Sequence, residues 1–179
     1  MQHILVTNTA DEGSGSLRQA ILDSQSSCEL HPCTIDFRIA EPSQSGRHTI
    51  RPRTPLPELR GIVKVDGPDE HDVEIDGSLL MEGNAFLLAS GCELQVLDLV
   101  IHDFPWPAVQ TKHRPLTWEV CRDFVDTGRW FIARNHISAS YRGIALAGNP
   151  AVDIRHNVIS GNLRAGIFAE GIIRDRGRW

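Results

Sequence analysis

Ile132-Ala133-Arg134-Asn135-His136-Ile137-Ser138 and Ile154-Arg155-His156-Asn157-Val158-Ile159-Ser160 are two versions of one pattern, offset by 22 residues. Arg142 falls on Arg164 at the same offset, and a slip of one residue then aligns Gly143-Ile144 with Gly166-Ile167 and Gly148 with Gly171, at 23. Fainter copies lie upstream in Val96, Leu99, Val100 and Ile101, and about one period earlier in Val73 and Ile75. A period of about 20–45 residues marks stacked units, each burying its apolar side against its neighbours. This unit contains only short strands and turns. It has to turn back on itself, and stacking such turns sets equivalent strands side by side in parallel, which predicts an all-β fold, a β-solenoid. Propeller blades need repeats of about 40 residues and do not fit. In this reading Asn135 lies over Asn157 at a turn, where Asn tolerates the left-handed conformation and can hydrogen-bond along the stack. The glycine pairs are expected to mark the next corners.

Working outward from the repeat, one convincing helix precedes it. Ser16 caps it, Gln19 stands three residues on as a capping box requires, and Leu17, Ala20 and Ile21 give one apolar face. The helix is expected from Leu17 to about Ser24, too short to stand unless that face packs on something. An open stack of strands exposes its ends, and this amphipathic segment is placed to cover the first one. His3 to Thr7 reads as a strand ahead of it; Thr34–Phe37, Ile62–Val65 and Val73–Ile75 read as strands after it. Thr111 to Phe131 matches neither repeat, and Ile101 stands 36 residues before Ile137, about 14 more than one turn. The organisation expected is therefore an N-terminal strand and capping helix (1–30), early coils (31–111), an irregular insertion or disrupted coil (112–131), and coils with the 22-residue repeat (132–179). A second helical period is conceivable only over Trp118 to Val125. The abrupt stop after Ile172-Ile173 suggests a fragment of a longer solenoid.

The 179 residues carry 18 Lys+Arg and 23 Asp+Glu, a formal charge of −5, with 41% apolar residues. That is the composition of a globular chain, neither disordered nor collagen-like, and no apolar run approaches the roughly 18 residues of a membrane-spanning helix. Residues 1–111 hold 7 basic and 17 acidic side chains, residues 112–179 hold 11 and 6. The basic residues are scattered singly, which argues against a nucleic-acid partner. Gln2-His3-Ile4-Leu5-Val6 after Met1 lacks the features of a signal peptide. Cys28 and Cys33 could close a small loop by disulfide; Cys92 and Cys121 stand alone, and His31 between the first two does not make a zinc-type spacing.

Val6-Thr7-Asn8-Thr9-Ala10-Asp11-Glu12-Gly13-Ser14-Gly15-Ser16-Leu17-Arg18-Gln19-Ala20-Ile21 resembles the opening signature of large bacterial surface or secreted proteins with right-handed parallel β-helix domains of the pectin-lyase type. They are also described as polymorphic outer-membrane-protein-like, or by a Cys-Ser-Leu-Arg-Glu-Ala motif. Leu56-Pro57, Val65-Asp66-Gly67 and Ile75-Asp76-Gly77-Ser78 resemble their first coils, and Asn157-Val158-Ile159-Ser160-Gly161-Asn162 their repeating coils. The chain departs from the pattern at Gly15, where the motif has Cys, in lacking a leader, and over 112–131. The resemblance implies a right-handed parallel β-helix with a short N-terminal capping α-helix, and an extracellular or cell-surface location. It does not imply one activity, since such folds include polysaccharide lyases, glycoside hydrolases and non-catalytic adhesins.

Chemistry needs a site. Glycoside hydrolysis calls for paired carboxylates, and elimination calls for calcium-binding carboxylates beside a base. Asp98 and Asp103 flank one predicted strand, Asp66 and Asp76 sit in Asp-Gly pairs, and Arg134, Arg142, Arg155 and Arg164 line the later coils. Asp-Gly is ordinary turn chemistry, and arginine at repeated positions is ordinary for a solvated face. Trp106, Trp118, Trp130 and Trp179 could stack on sugars, but packing is their commoner role. Gly13-Ser14-Gly15-Ser16 lacks the lysine of a phosphate loop and the spacing of a nucleophile elbow. No catalytic, cofactor-binding or metal-binding residue is assigned. The function expected is a non-catalytic scaffold or adhesion surface of a cell-surface or secreted protein, its partner a polysaccharide or cell-surface glycan; the alternative is a polysaccharide lyase or glycoside hydrolase, or a remnant of one. An uncapped last coil predicts that the isolated chain self-associates or is only marginally stable. Size-exclusion chromatography and melting test this: a sharp monomer peak with cooperative melting at high temperature contradicts it.

Overall fold

A computed structural model describes residues 2–27, 31–40, 46–68, 71–89, 92–111, 129–147 and 151–170. These residues form one helix, α1 (Leu17–Ser27), and short strands: β1 (Gln2–Val6), β2 (Cys33–Phe37), β3 (His48–Ile50), β4 (Ile62–Asp66), β5 (Val73–Asp76), β6 (Phe86–Leu88), β7 (Glu93–Leu97), β8 (Val100–His102), β9 (Val109–Thr111), β10 (Arg129–Ala133), β11 (His136–Ser138), β12 (Arg142–Ala147), β13 (Ala151–Arg155), β14 (Val158–Ser160) and β15 (Ala165–Glu170). They assemble into three sheets, β1-β2-β4-β7-β10-β13, β14-β11-β8-β5-β3 and β15-β12-β9-β6. Every pairing among them is parallel. From β4 onward the chain visits the first, second and third sheet in turn, four times over. The residues that recur in the sequence lie against each other: Ile132 pairs with Ile154, Ile137 with Ile159 and with Ile101, and Ile144 with Ile167.

Strands this short need sharp corners, and from β7 onward the corners after the first- and second-sheet strands share one construction. Asp98, Arg134 and His156 each follow a first-sheet strand with φ of +56°. Asp103, Ala139 and Gly161 each follow a second-sheet strand with φ of +57°, +49° and +61°. A left-handed residue at each place redirects the chain into the next sheet, at a cost of about 1 kcal/mol for a residue other than glycine. The asparagines expected to take that conformation do not. Arg134 and His156, the residues ahead of them, carry it instead, which turns the side chains of Asn135 and Asn157 along the stack. Asn135 Oδ1 accepts from the Leu99 amide at 3.1 Å and its Nδ2 donates to the Val96 and Ala133 carbonyls; Asn157 Oδ1 accepts from the Asn135 amide at 2.9 Å. At the second corner, Ser140 Oγ accepts from the Phe104 amide and Asn162 Oδ1 from the Ser140 amide.

Inside the three sheets lies a single apolar core. Val63, Leu94 and Ile132 from the first sheet, Ile50, Ile75, Ile101 and Ile137 from the second, and Phe86, Val109 and Ile144 from the third are all essentially solvent-free. Each such side chain contributes about 1.5–3 kcal/mol relative to exposure. Gly77 is required where β5 ends, because a Cβ there would meet the Phe104 ring at 2.7 Å. Gly143 and Gly166, expected at corners, lie within β12 and β15, where a Cβ on Gly143 would strike the Gly166 carbonyl at 2.5 Å. Arg142 pairs with Ala165, one residue on from the Arg164 that the 22-residue offset gives. Of the irregular stretch expected at 112–131, Arg129, Trp130 and Phe131 belong to β10 and Trp130 is buried in the core; 112–128, with the conceivable helix around Trp118 to Val125, lie outside the described residues.

The helix packs against β1 and β2, with Leu17, Ala20 and Ile21 joining the core. Ser16 caps it, accepting from the Gln19 amide at 3.1 Å. The reciprocal half of a capping box does not form: the Ser16 amide donates to Gly13 O, and Gln19 Nε2 donates to Asp23 Oδ1. The helix runs on to Ser27, and Gln25 Nε2 donates to Glu58 O across the gap to the first circuit. Arg18 ties it further, donating to the carbonyls of Thr54 and Pro55 and to Asp11. Burial works against the Asp11 charge, but hydrogen bonds from Arg18 and the Arg53 amide, and both positive charges, hold its carboxyl below the usual range.

Two predictions follow from these ties. Asn135→Ala leaves the buried Leu99 amide without its acceptor and is expected to cost about 2 kcal/mol in urea denaturation; Asn157→Ala, in a less buried place, should cost less, and an equal loss would contradict the assignment. Because the Asp11 carboxyl is depressed in the fold, its stabilising share is present above pH about 4 and lost as pH falls through the folded value. Asp11→Asn should therefore flatten the acid limb of a plot of Tm against pH, its effect shrinking as the pH falls.

Candidate functional site

On the outer face of the second sheet, side chains from three successive circuits converge on one imidazole. Ile75 points into the core, so its neighbours Glu74 and Asp76 point out, and the parallel register sets Asp76 beside His102. His102 Nε2 lies 2.9 Å from Glu74 Oε1, and Nδ1 lies 2.6 Å from Asp103 Oδ2 and 4.0 Å from Asp76 Oδ1. From the circuit before, Thr49 Oγ1 donates to Glu74 Oε2 at 2.7 Å and Arg51 Nε donates to Asp76 Oδ2 at 2.8 Å. The Ser78 amide donates to Asp76 Oδ1 at 2.9 Å. Asp76 is buried, His102 half-buried, and the Asp103 side chain exposed at 46%.

The charges reinforce one another. Burial disfavours the His102 cation, but hydrogen bonds to Asp103 and Glu74 and the charges of Glu74 and Asp76 outweigh it and raise its pKa. Burial likewise works against the Asp76 carboxylate, while hydrogen bonds from Ser78 and Arg51 and the charge of His102 lower its pKa. A glycosidase acid needs a carboxyl pushed upward and free to face substrate. Asp76 is driven the other way, and both oxygens of Glu74 are engaged. The arrangement is built to hold a positive charge, and Asp76, His102 and Asp103 place one donor atom each within 4.8 Å of the others.

The residues singled out from sequence are dispersed by the fold. Asp98 and Asp103 flank β8, as expected, yet they part company: Asp98 is buried in a bidentate pair with Arg134, at 2.7 and 2.5 Å, on the first corner. Asp66 accepts from Lys64, and Asp76 makes its turn through the Ser78 amide but also enters the cluster. Arg142 lies over the rings of Phe168 and Tyr141, Arg155 over Phe131 and Arg164 over Tyr141. Trp106 is exposed and Trp130 buried; Trp118 and Trp179 lie outside the described residues. Cys33 is disulfide-bonded; Cys28 and Cys121 lie outside the described residues, and Cys92 Sγ accepts from the Gly61 amide. His31 is exposed. Glu74, His102 and Arg51 went unnoticed in the sequence. The outward alternation of Glu74 and Asp76 around Ile75 was a usable signal, whereas the 28 residues from Glu74 to His102 follow no motif.

A concavity of about 680 Å³ runs across the outer face of the first sheet, with Lys64, Gln95, Arg129, Phe131 and Asp153 among its lining. No protein-family model, curated protein sequence or solved structure matches the chain. Among the described residues no helix is long and apolar enough to cross a membrane. His102→Ala would leave three carboxylates facing one another without their central cation. At pH 6 it should lower stability by about 2 kcal/mol, and 1 M NaCl should shrink that loss by screening the repulsion; a loss indifferent to salt would point to packing instead.

Proposed function

We propose that this chain is a right-handed parallel β-helix segment of a cell-surface or secreted bacterial protein, acting as a rigid scaffold and glycan-binding surface. The observation that carries the reading is the cyclic passage through three parallel sheets, which leaves long outer faces crossing successive circuits. The right hand follows from the strong preference of crossovers between parallel strands. Such a face presents side chains at the strand spacing of about 4.8 Å, a ruler suited to a linear polymer. The groove over the first sheet supplies Arg129 and Gln95 for hydrogen bonds and Phe131 as an apolar surface beside them. A disulfide at Cys33 is in keeping with an oxidising compartment. Self-association through these circuits belongs to the same proposal: among the described residues β13, β14 and β15 are edge strands of their sheets, and Val158 and Ile167 on them, with Leu163 between β14 and β15, are exposed.

The second reading is a polysaccharide lyase or glycoside hydrolase; Asp76 and Asp103 with Arg51 on one face are the groups an elimination site would use, whereas the raised acid of a hydrolase is not among them. The two readings separate in one experiment. Glycan-array binding, followed by depolymerisation assays on pectin, alginate and related uronates with and without calcium, should give binding without turnover. Arg129→Ala together with Phe131→Ala should weaken that binding about tenfold or more, the loss of one or two good contacts. Reproducible turnover abolished by Asp76→Asn would establish the enzyme reading in its place.

A further inference from the structure

We propose that Asp76, His102 and Asp103 form a binding site for a divalent metal of the zinc class, with His102 Nδ1 and one oxygen of each aspartate as protein ligands. The inference is independent of the scaffold reading. Three facts of placement carry it. First, the donors converge: Nδ1 faces Asp103 Oδ2 at 2.6 Å and Asp76 Oδ1 at 4.0 Å, and all three donor atoms lie within 4.8 Å of one another. Ligands around a metal at about 2.0–2.2 Å stand about 3–4 Å apart, so small side-chain rotations close the set.

Second, the opposite ring nitrogen is held from outside the set. Glu74 Oε1 lies 2.9 Å from Nε2, and Glu74 is itself fixed by Thr49. A carboxylate that accepts a hydrogen bond from one imidazole N–H orients a metal-binding histidine and raises its basicity, and the metal would take the place of the proton that Nδ1 shares with Asp103. Third, Asp76 divides its oxygens: Oδ2 takes Arg51, while Oδ1, which accepts from the Ser78 amide, faces His102 with its second lone pair. The ligands Asp76 and His102 are held on paired strands, so the site's geometry is set by the sheet and not by a free loop.

The donor types choose the metal. One imidazole nitrogen with two carboxylates suits zinc and its neighbours in the first transition row, whereas calcium prefers six to eight oxygens. Three protein ligands leave a fourth position for water, on the side where Asp103 meets solvent. Once the metal has displaced the His102 proton, three carboxylates face one flanking guanidinium, and a divalent ion balances that excess negative charge.

The experiment is a titration of the chelator-treated chain with Zn²⁺ by calorimetry, with Co²⁺ absorption as a spectroscopic check and Ca²⁺ as the contrasting ion. One equivalent of Zn²⁺ should bind, Co²⁺ should give visible d–d bands, and Ca²⁺ should not compete. Asp103→Asn and Glu74→Gln should each weaken Zn²⁺ binding by about 10- to 100-fold, and His102→Gln should abolish the one-equivalent event. The chain has eight histidines, so the difference between variant and wild type is the decisive reading. Circular dichroism checks that the variants fold; on the wild-type chain, ¹⁵N shifts of the imidazoles should move at His102 Nδ1 first. Zn²⁺ binding unchanged in Asp103→Asn, shifts confined to other histidines, or no binding at all would overturn the proposal.

Discussion

Everything in this protein hangs on how a chain of short strands turns a corner without stranding its backbone amides. At the first-sheet corners after β7, β10 and β13 a left-handed residue redirects the chain, and an amide that leaves the ladder there must find an acceptor inside the molecule. Asn135 supplies it for Leu99, and Asn157 supplies it for Asn135. At these two corners a circuit is thus completed by a side chain from the next one. The corner is a cooperative object, stabilised only when neighbouring circuits are in register.

That register determines the outer surface. Inward residues stack as Ile50, Ile75, Ile101 and Ile137, so the residues between them must stack outward with the same partners. Thr49, Glu74, Asp76 and His102 come together for this reason. The core selects which side chains meet outside as firmly as it selects those inside, because a slip of one residue would exchange the two faces. The His102 cluster and the Asp98–Arg134 pair are both charge contacts between circuits, and they differ in openness: the second closes on itself, while the first leaves Asp103 toward solvent.

Much of this was legible from spacing. Ile132 and Ile154 are paired in the structure because the interval between them is one circuit, and Ile144 meets Ile167 at the slipped interval of 23. The helix was readable from Ser16 and the apolar face of Leu17, Ala20 and Ile21. Finer geometry was not. The spacing that aligns the asparagines does not say which residue bends, and the repeated glycines looked like corner residues although Gly143 and Gly166 occupy strands for close backbone approach. Earlier circuits were harder to read, since Ile101 and Ile137 are partners 36 residues apart and no fixed period spans them.

The sequence by itself determined a parallel stack of short strands behind an amphipathic helix, because periodic apolar residues and turn formers act locally and recur at intervals the chain can count. Only the tertiary structure decided that Glu74, Asp76 and Arg51 would surround His102, and that Asp98 would leave Asp103 for Arg134. These contacts join circuits of unequal length, so the partner of a given side chain depends on how much chain each corner consumes. Local patterning does not encode that length; the packing of the core does.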